Sequence, residues 1–326
     1  MKTIVTHGAN FHADDIFAVA TLLTLLENGK GSGEKIKVVR TLEPEKFPQA
    51  DFIVDTGRIY DTKKNRFDHH QEGGAGVRPS GVSYAAFGLV WKKFGKELAG
   101  SQFAADWIDR HIVQGLDAMD TGLYLYEPVI EDVHPFLFIE YFKSACDVVK
   151  GDLPEEDANG AKEGKEAKKT SQLAKKFDKE FMRLVNVAKD VLRVYIIKSK
   201  QGEKIAKDAK KAYAKSKDKR VIVSDKFIPT RFDEFKAPEY IEPLVFVYPD
   251  LRGGWSAKVV PKNSQSYDSR MSFPKNWRGK SGAELAKLTG VVDAKFCHNG
   301  GFLAVADSKE GAIALVYKAI EILKIK

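Results

Sequence analysis

Short apolar runs followed by longer stretches with apolar residues three and four apart alternate through the first hundred residues, which predicts strands alternating with helices. Thr3, Ile4 and Val5 mark a strand over 2–6. A helix beginning at 11 or 14 and running to 27 follows, with Ile16, Phe17, Val19, Ala20, Leu22, Leu23 and Leu26 on a broad apolar face. Lys30-Gly31-Ser32-Gly33 turns the chain into a strand over 36–40, two further strands end at Asp55 and Asp68, and Tyr84, Phe87, Val90, Trp91 and Phe94 predict an amphipathic helix over 83–94. Such alternation implies an α/β fold, a parallel sheet covered by helices. Phe103, Trp107, Ile108 and Ile112 predict another helix over 102–116, leading into Asp117 and Asp120.

Residues 151–170 are too polar to pack on both sides and are expected to form a mobile loop; helices are predicted over 171–194 and 203–214. The pattern then changes. Strands over 221–223, 244–248, 256–260 and 301–305, with a closing helix over 309–324, describe a smaller α+β domain. The expected organisation is a first domain over 1–195, a basic helical linker over 196–220 and a second domain over 221–326.

With 326 residues, 43% of them apolar, each domain has enough material for its own core. No apolar stretch approaches the length of a membrane span, and the chain enters a strand at once, so a cytoplasmic location and no membrane partner are expected. Two cysteines, Cys146 and Cys297, lie far apart, which argues against a disulfide framework or a thiolate zinc site. A formal charge of +8 favours a polyanionic partner, although much of the excess is lysine between 162 and 219, the ordinary composition of a solvated helix.

Chemistry concentrates where the strands end. His7, His12, Asp14 and Asp15 follow the first strand, Asp55 closes another, and Asp68-His69-His70 closes a third. Four of the seven histidines fall in these clusters. With Asp117 and Asp120 they offer the mixed imidazole and carboxylate donors of a two-cation site, manganese first and magnesium second, with zinc disfavoured by the lack of thiolates. Taken singly, Asp55 is an ordinary turn former and Asp14 or Asp15 an ordinary helix cap. Taken together, so many carboxylates at one sheet edge repel one another unless cations are bound.

The strings Thr6-His-Gly-Ala-Asn-Phe-His-Ala-Asp-Asp15, Arg66-Phe-Asp-His-His-Gln71, Gly88-Leu-Val-Trp91 and Phe273-Pro-Lys-Asn-Trp-Arg-Gly279 resemble the DHH phosphoesterase superfamily, in particular its melanocyte-proliferating-gene branch of nucleases. The resemblance runs from the first strand to the last helix and fades in the lysine-rich middle. It implies a DHH-type catalytic domain in which His7 and His12 hold one metal, Asp14 or Asp15 and His69 hold a second, and Asp55 bridges them. Asp120 or Asp117 completes the set, His70 faces the scissile phosphate and Asp68 orients the histidines. The broader superfamily opens with His, Asp and Asp at alternate positions. Here His12 precedes adjacent aspartates, which leaves open which of the two ligates.

The second domain carries His298-Asn299-Gly300-Gly301-Phe302 just before a strand, where backbone N–H groups approach an anion closely or simply make an Asn-Gly turn. The resemblance favours a phosphate-holding turn. Lys258, Lys262, Arg270, Arg278 and Lys280 would form a cationic wall, and Trp255 or Trp277 would stack a base unless buried in the core. The implied activity is a metal-dependent phosphodiesterase, a 3′ to 5′ exonuclease on RNA or short single-stranded oligonucleotides that releases nucleoside monophosphates. Its rivals are a small-molecule phosphoesterase acting on pyrophosphate, a bisphosphorylated nucleotide or a cyclic dinucleotide, and a non-catalytic RNA-binding protein. A homodimer is compatible with either.

Overall fold

The computed structural model describes residues 1–29, 33–151, 163–228, 240, 242–262 and 268–325. The chain divides into two compact units, Met1–Lys200 and Gln201–Lys326. The first is built on a five-stranded sheet formed by β1 (Lys2–His7), β2 (Ile36–Thr41), β3 (Phe52–Val54), β4 (Tyr60–Asp61) and β5 (Arg66–Phe67) in the order β2-β1-β3-β5-β4. The first four in that order run parallel, in registers such as Ile4 opposite Val38 and Phe52, and Val54 opposite Phe67; β4 closes the edge antiparallel.

Helix α1 (Ala13–Asn28) is buried without interruption from Ala13 to Leu23. The expected one-sided face therefore becomes a helix enclosed all round, lying among the sheet, α2 (Ala86–Ala99) and later helices. Gly100 ends α2 at φ 85°, a conformation cheap only for glycine. Ser101 then caps α3 (Gln102–Ile108), its Oγ accepting from the N–H of Ala104 at 3.1 Å. A π-helical turn over Asp109–Val113 joins α3 to α4 (Gln114–Asp120). Helical structure therefore covers the stretch predicted over 102–116 and extends to Asp120, with an inserted turn that apolar spacing does not reveal.

Helix α5 (Phe138–Gly151) was not anticipated, although Phe142, Cys146 and Val149 face the core at helical spacing. The expected mobile loop lies mostly outside the described residues, while its last portion belongs to α6 (Glu163–Lys215). This one 53-residue helix replaces the two predicted on either side of Gly202, because a single glycine weakens a helix interior by about 1 kcal/mol and need not break it. Phe177, Phe181, Leu184, Val185, Ala188 and Leu192 bury the part of α6 in the first unit; Ala206, Ala209 and Ala212 are buried beyond it.

The second unit holds β6 (Val221–Val223), β7 (Val245–Pro249), β8 (Trp255–Val259), β9 (Ala294–Cys297) and β10 (Leu303–Ala306), ordered β6-β7-β8-β10-β9. Among the described residues of this unit only β6 and β7 pair in parallel. With α7 (Gly282–Thr289) and α8 (Lys309–Ile322) the sheet encloses Phe273, Trp277, Leu285 and Leu315. The whole is a mixed α/β protein. Among the described residues no helix is long and apolar enough to cross a membrane.

Candidate metal centre

Parallel pairing sets three chain reversals side by side. His7 ends β1, Asp55 follows β3 and Asp68 follows β5, all at the carboxyl edge where open α/β sheets place ligands. The first turn of α1 brings Asp14 and Asp15 to the same edge, and α4 ends there on Asp120. Asp55 takes a left-handed φ of 54°, a strained setting that aspartate tolerates better than most residues, while its N–H donates to the carbonyl of Phe67 at 3.0 Å.

The carboxylate of Asp55 stands between two imidazoles. Its Oδ2 is 3.2 Å from His7 Nε2, and its Oδ1 is 3.3 Å from His69 Nε2. His7 Nε2 is also 3.2 Å from Asp15 Oδ2, and His69 Nε2 lies 3.3 Å from Asp120 Oδ2 and 4.0 Å from Asp14 Oδ2. Among the described residues three groups each offer donor atoms within 4.8 Å of one another: His7, His12 and Asp55; Asp55, His69 and His70; and His12, Asp14 and Asp120. Asp55 and His12 each belong to two of them. A cavity of about 280 Å³, bordered by His7, His12, Asp55, Arg58, Asp68 and His70, opens beside these donors.

Burial makes this arrangement costly without a cation. Asp14 is 1% exposed, yet among the described residues neither carboxylate oxygen has a hydrogen-bond partner; Asp15 Oδ2, Asp55 Oδ1 and His69 Nε2 are buried beside other site groups and likewise make no hydrogen bond there. Each such group costs on the order of 1–3 kcal/mol when desolvated, more if charged. Burial, reinforced by Asp55, Asp120 and Asp15, pushes the Asp14 carboxyl well above the carboxylate range, and burial takes Asp15 up to about 7 despite His7. Asp120 is raised by burial and then by Asp55. Asp55 is the exception. Burial would raise it, but the imidazoles of His69 and His7, one beside each of its oxygens, hold it down to about 2.

The histidines answer in kind. Burial would lower His7, yet Asp55 and Asp15 raise it to about 9, and Asp55 likewise raises His69 against its burial. His12 is lowered, chiefly by burial. Imidazole nitrogens and carboxylate oxygens without thiolates form a donor set that suits a divalent cation, which would replace the protons these groups now share.

Asp68 serves differently. Its Oδ1 accepts from the N–H groups of His69 and His70 at 2.7 and 3.1 Å, its Oδ2 from that of Arg58 at 2.5 Å, and its Oδ1 lies 2.7 Å from His70 Nδ1. With an acceptor at Nδ1, the imidazole of His70 has Nε2 left over, on a side chain 56% exposed. Asp117 stands apart from the donor groups. It is buried against Arg78, whose Nη2 is 2.7 Å from Oδ2, and its Oδ1 accepts from the Gly88 N–H at 3.0 Å. Of the two late aspartates, Asp120 is the one among the histidines.

Two arginines escaped the sequence reading. Arg78, 5% exposed, sits in a loop with no periodicity to flag it. Arg40 could have been found by the rule that found Asp55, since it lies near the end of β2. Its Nη2 donates to the carbonyls of Ala9 and Asn10 at 2.7 and 3.0 Å and so holds the segment between β1 and α1.

In the second unit, His298, Gly300, Gly301 and Arg278 come together at the turn between β9 and β10. His298 Nδ1 accepts from the Gly300 N–H at 2.9 Å, and Gly301, at φ 67°, leaves room for Arg278, whose Nε would lie 2.6 Å from any Cβ there. Arg270 instead donates from Nη1 to the carbonyls of Tyr240 and Pro243 at 2.6 and 3.0 Å. Lys258 lies in β8, in register with Leu303 and Phe246. Trp277 is wholly buried and so offers no face to a base; Trp255 is partly exposed, with Lys309 Nζ 5.2 Å from its ring centroid.

A family model described as an uncharacterised protein family, UPF0160, and labelled MYG1_exonuc, matches residues 3–320. The chain is 26% identical to a MYG1 protein of Chlamydia muridarum over 321 residues, covering 97% of each. It is 26% identical to MYG1 protein C694.04c of Schizosaccharomyces pombe, covering 98% of this chain and 97% of that one. With the protein named MYG1 exonuclease from Homo sapiens it shares 24% identity over 96% of this chain and 84% of the human one. No solved structure matches the chain.

Proposed function

The chain belongs to the MYG1 exonuclease family, and on that premise we propose that it is a metal-dependent phosphodiesterase of DHH type, a 3′ to 5′ exonuclease on RNA or short single-stranded oligonucleotides. The family's name favours a nuclease. One observation supports the metal dependence above all others: buried oxygens of Asp14, Asp15 and Asp55 and a nitrogen of His69, none of them hydrogen-bonded among the described residues, occupy one small region.

His7, His12 and Asp55 would hold one divalent cation, and Asp14, His69 and Asp120 a second, with manganese as the preferred ion. Cations held by these residues would make water a stronger nucleophile at neutral pH and would offset charge on the phosphate. The protein does the rest. Asp68 fixes the ring of His70 through Nδ1, so that Nε2 can give a proton to the departing oxygen. Asp15 steadies His7 and, through the His12 N–H at 3.0 Å, the start of α1. His298, Gly300, Gly301 and Arg278 form the turn that would hold a substrate phosphate, with Lys258 and Arg270 more remote contributors. Asp117 takes the role of a support for α4.

End-labelled RNA and DNA oligomers of several lengths, incubated with manganese, magnesium or chelator, test this reading. Stepwise shortening from the 3′ end with manganese, abolished in Asp55→Ala and His69→Ala, is expected. An intact oligomer in every lane would overturn it.

A further inference from the structure

Beside the donor groups lies a larger hollow that the metal chemistry does not use. It is a cavity of about 450 Å³, within the size range of small-molecule sites, and three of its border residues, His12, Asp14 and Asp120, are themselves candidate ligands. Its interior is of another kind. Phe11 and Cys146, 0% and 3% exposed, form part of the lining, and Leu123 and Ile139 add aliphatic surface. Tyr124 stands at the border with 91% of its surface in water, although it follows directly on α4 and its Asp120. An aromatic ring so little covered by its own protein is a platform for another flat, apolar face.

The polar part of the lining has a definite sign and source. Lys143 and Lys150 project from α5 seven residues apart, on one face of the helix. Lys150 pairs with Asp147 at 3.1 Å and is close enough to His12 to disfavour its protonation. Among the described residues Lys143 has no carboxylate partner. Glu140 also borders the hollow, so the lining is not a simple anion trap. It combines an aromatic rim and aliphatic walls with one uncommitted cation and a carboxylate able to accept from an amino group.

We infer that this hollow binds the nucleoside of the nucleotide whose phosphate meets the metal centre, with Tyr124 stacking on the base and Lys143 contacting a flanking phosphate. The inference rests on the phosphodiesterase reading for the orientation of the nucleotide, but not for the existence of the pocket. A single nucleoside-sized hollow, walled by residues of the first unit alone, implies that the catalytic unit itself selects for a base. The donor groups alone would accept any phosphoester.

Equilibrium binding to the full chain by calorimetry, with manganese and with chelator, separates base from phosphate recognition. Adenosine 5′-monophosphate is expected to bind at least about tenfold more tightly than ribose 5-phosphate, the scale of one base–aromatic stack. Tyr124→Ala should erase that preference, Tyr124→Phe should keep it, and Lys143→Ala should weaken a dinucleotide, which carries a flanking phosphate, more than either of these ligands. Equal affinity for the two ligands, a preference unaffected by Tyr124→Ala, or no binding of the nucleotide would overturn the inference. Hydrolysis assays distinguish it from the reading beneath. Cleavage of an oligomer with an abasic 3′ residue as fast as an intact one leaves the hydrolase standing and removes the pocket. Tyr124-dependent binding without any cleavage does the opposite.

Discussion

His70 Nδ1 lies 2.7 Å from Asp68 Oδ1, and the same oxygen accepts the backbone N–H groups of both His69 and His70. One carboxylate therefore sets the path of the chain and the orientation of the ring. Asp68→Asn is expected to leave manganese affinity nearly unchanged and to lower kcat about 10- to 100-fold, the usual cost of losing an orienting partner. Parallel metal titrations and steady-state kinetics check this; equal loss of metal and activity would place Asp68 among the ligands instead.

The metal-free protein should become less stable as pH rises. Burial raises Asp14 and Asp120 above their ordinary value of 3.8 and Asp15 to about 7, so the folded state keeps protons that the unfolded chain releases from about pH 4 upward. His7, raised by Asp55 and Asp15 to about 9, adds stability that is complete below its ordinary 6.5 and gone once pH passes 9. Asp55, held near 2 by His69 and His7, acts in the opposite sense; its contribution is present above 3.8 and lost as pH falls toward 2. Thermal melts with chelator should therefore peak in mildly acid buffer and decline to pH 9. Manganese, which displaces those protons, should raise Tm more as pH increases. A Tm that climbs from pH 5 to 9 without metal would contradict these assignments.

Much of the donor set could be read before any fold was known, because ligands at strand ends are local features of sequence. His7 and Asp55 each follow a recognisable apolar run, and His69 follows the short extended run Arg66-Phe67. The choice between Asp117 and Asp120 could not be read that way. It depends on where a helix interrupted by a π turn points each side chain, and on Arg78, which reaches Asp117 from a loop without pattern. Helix α5 was missed because its first turn follows a long stretch rich in exposed apolar residues, Val129, Ile130 and Phe136 among them, which blurs the periodicity. The two helices predicted over 171–194 and 203–214 are one in the structure, because the residues between them, Gly202 included, continue the helix of α6.

Arg78 and Asp117 form an ion pair with side chains 3% and 0% exposed, and Asp109 Oδ1 lies 3.0 Å from the same guanidinium nitrogen. Removing one partner strands buried charge, so Arg78→Ala should destabilise the fold by about 3–5 kcal/mol. Arg78→Ala paired with Asp117→Asn should recover part of that loss. Urea denaturation of the single and double variants measures both, and a cost for Arg78→Ala below about 1 kcal/mol would show the pair to be dispensable.

Gly88 in α2 makes room for that pair, since a Cβ on it would collide with the Asp117 carboxylate and lie 2.6 Å from Arg78 Nη2. Alanine normally strengthens a helix interior relative to glycine. Here Gly88→Ala should instead destabilise by about 1–3 kcal/mol, the cost of overpacking. A raised Tm in Gly88→Ala would mean that Asp117 can move aside freely.

The most direct test of the central claim is the number of manganese ions bound per chain at equilibrium, counted by electron paramagnetic resonance of free ion in wild type, Asp14→Asn and Asp55→Ala. Two ions in wild type, one in Asp14→Asn and severely weakened binding at both sites in Asp55→Ala are predicted. No saturable binding in wild type, or identical stoichiometry and affinity in all three proteins, would contradict a metal centre built on these carboxylates.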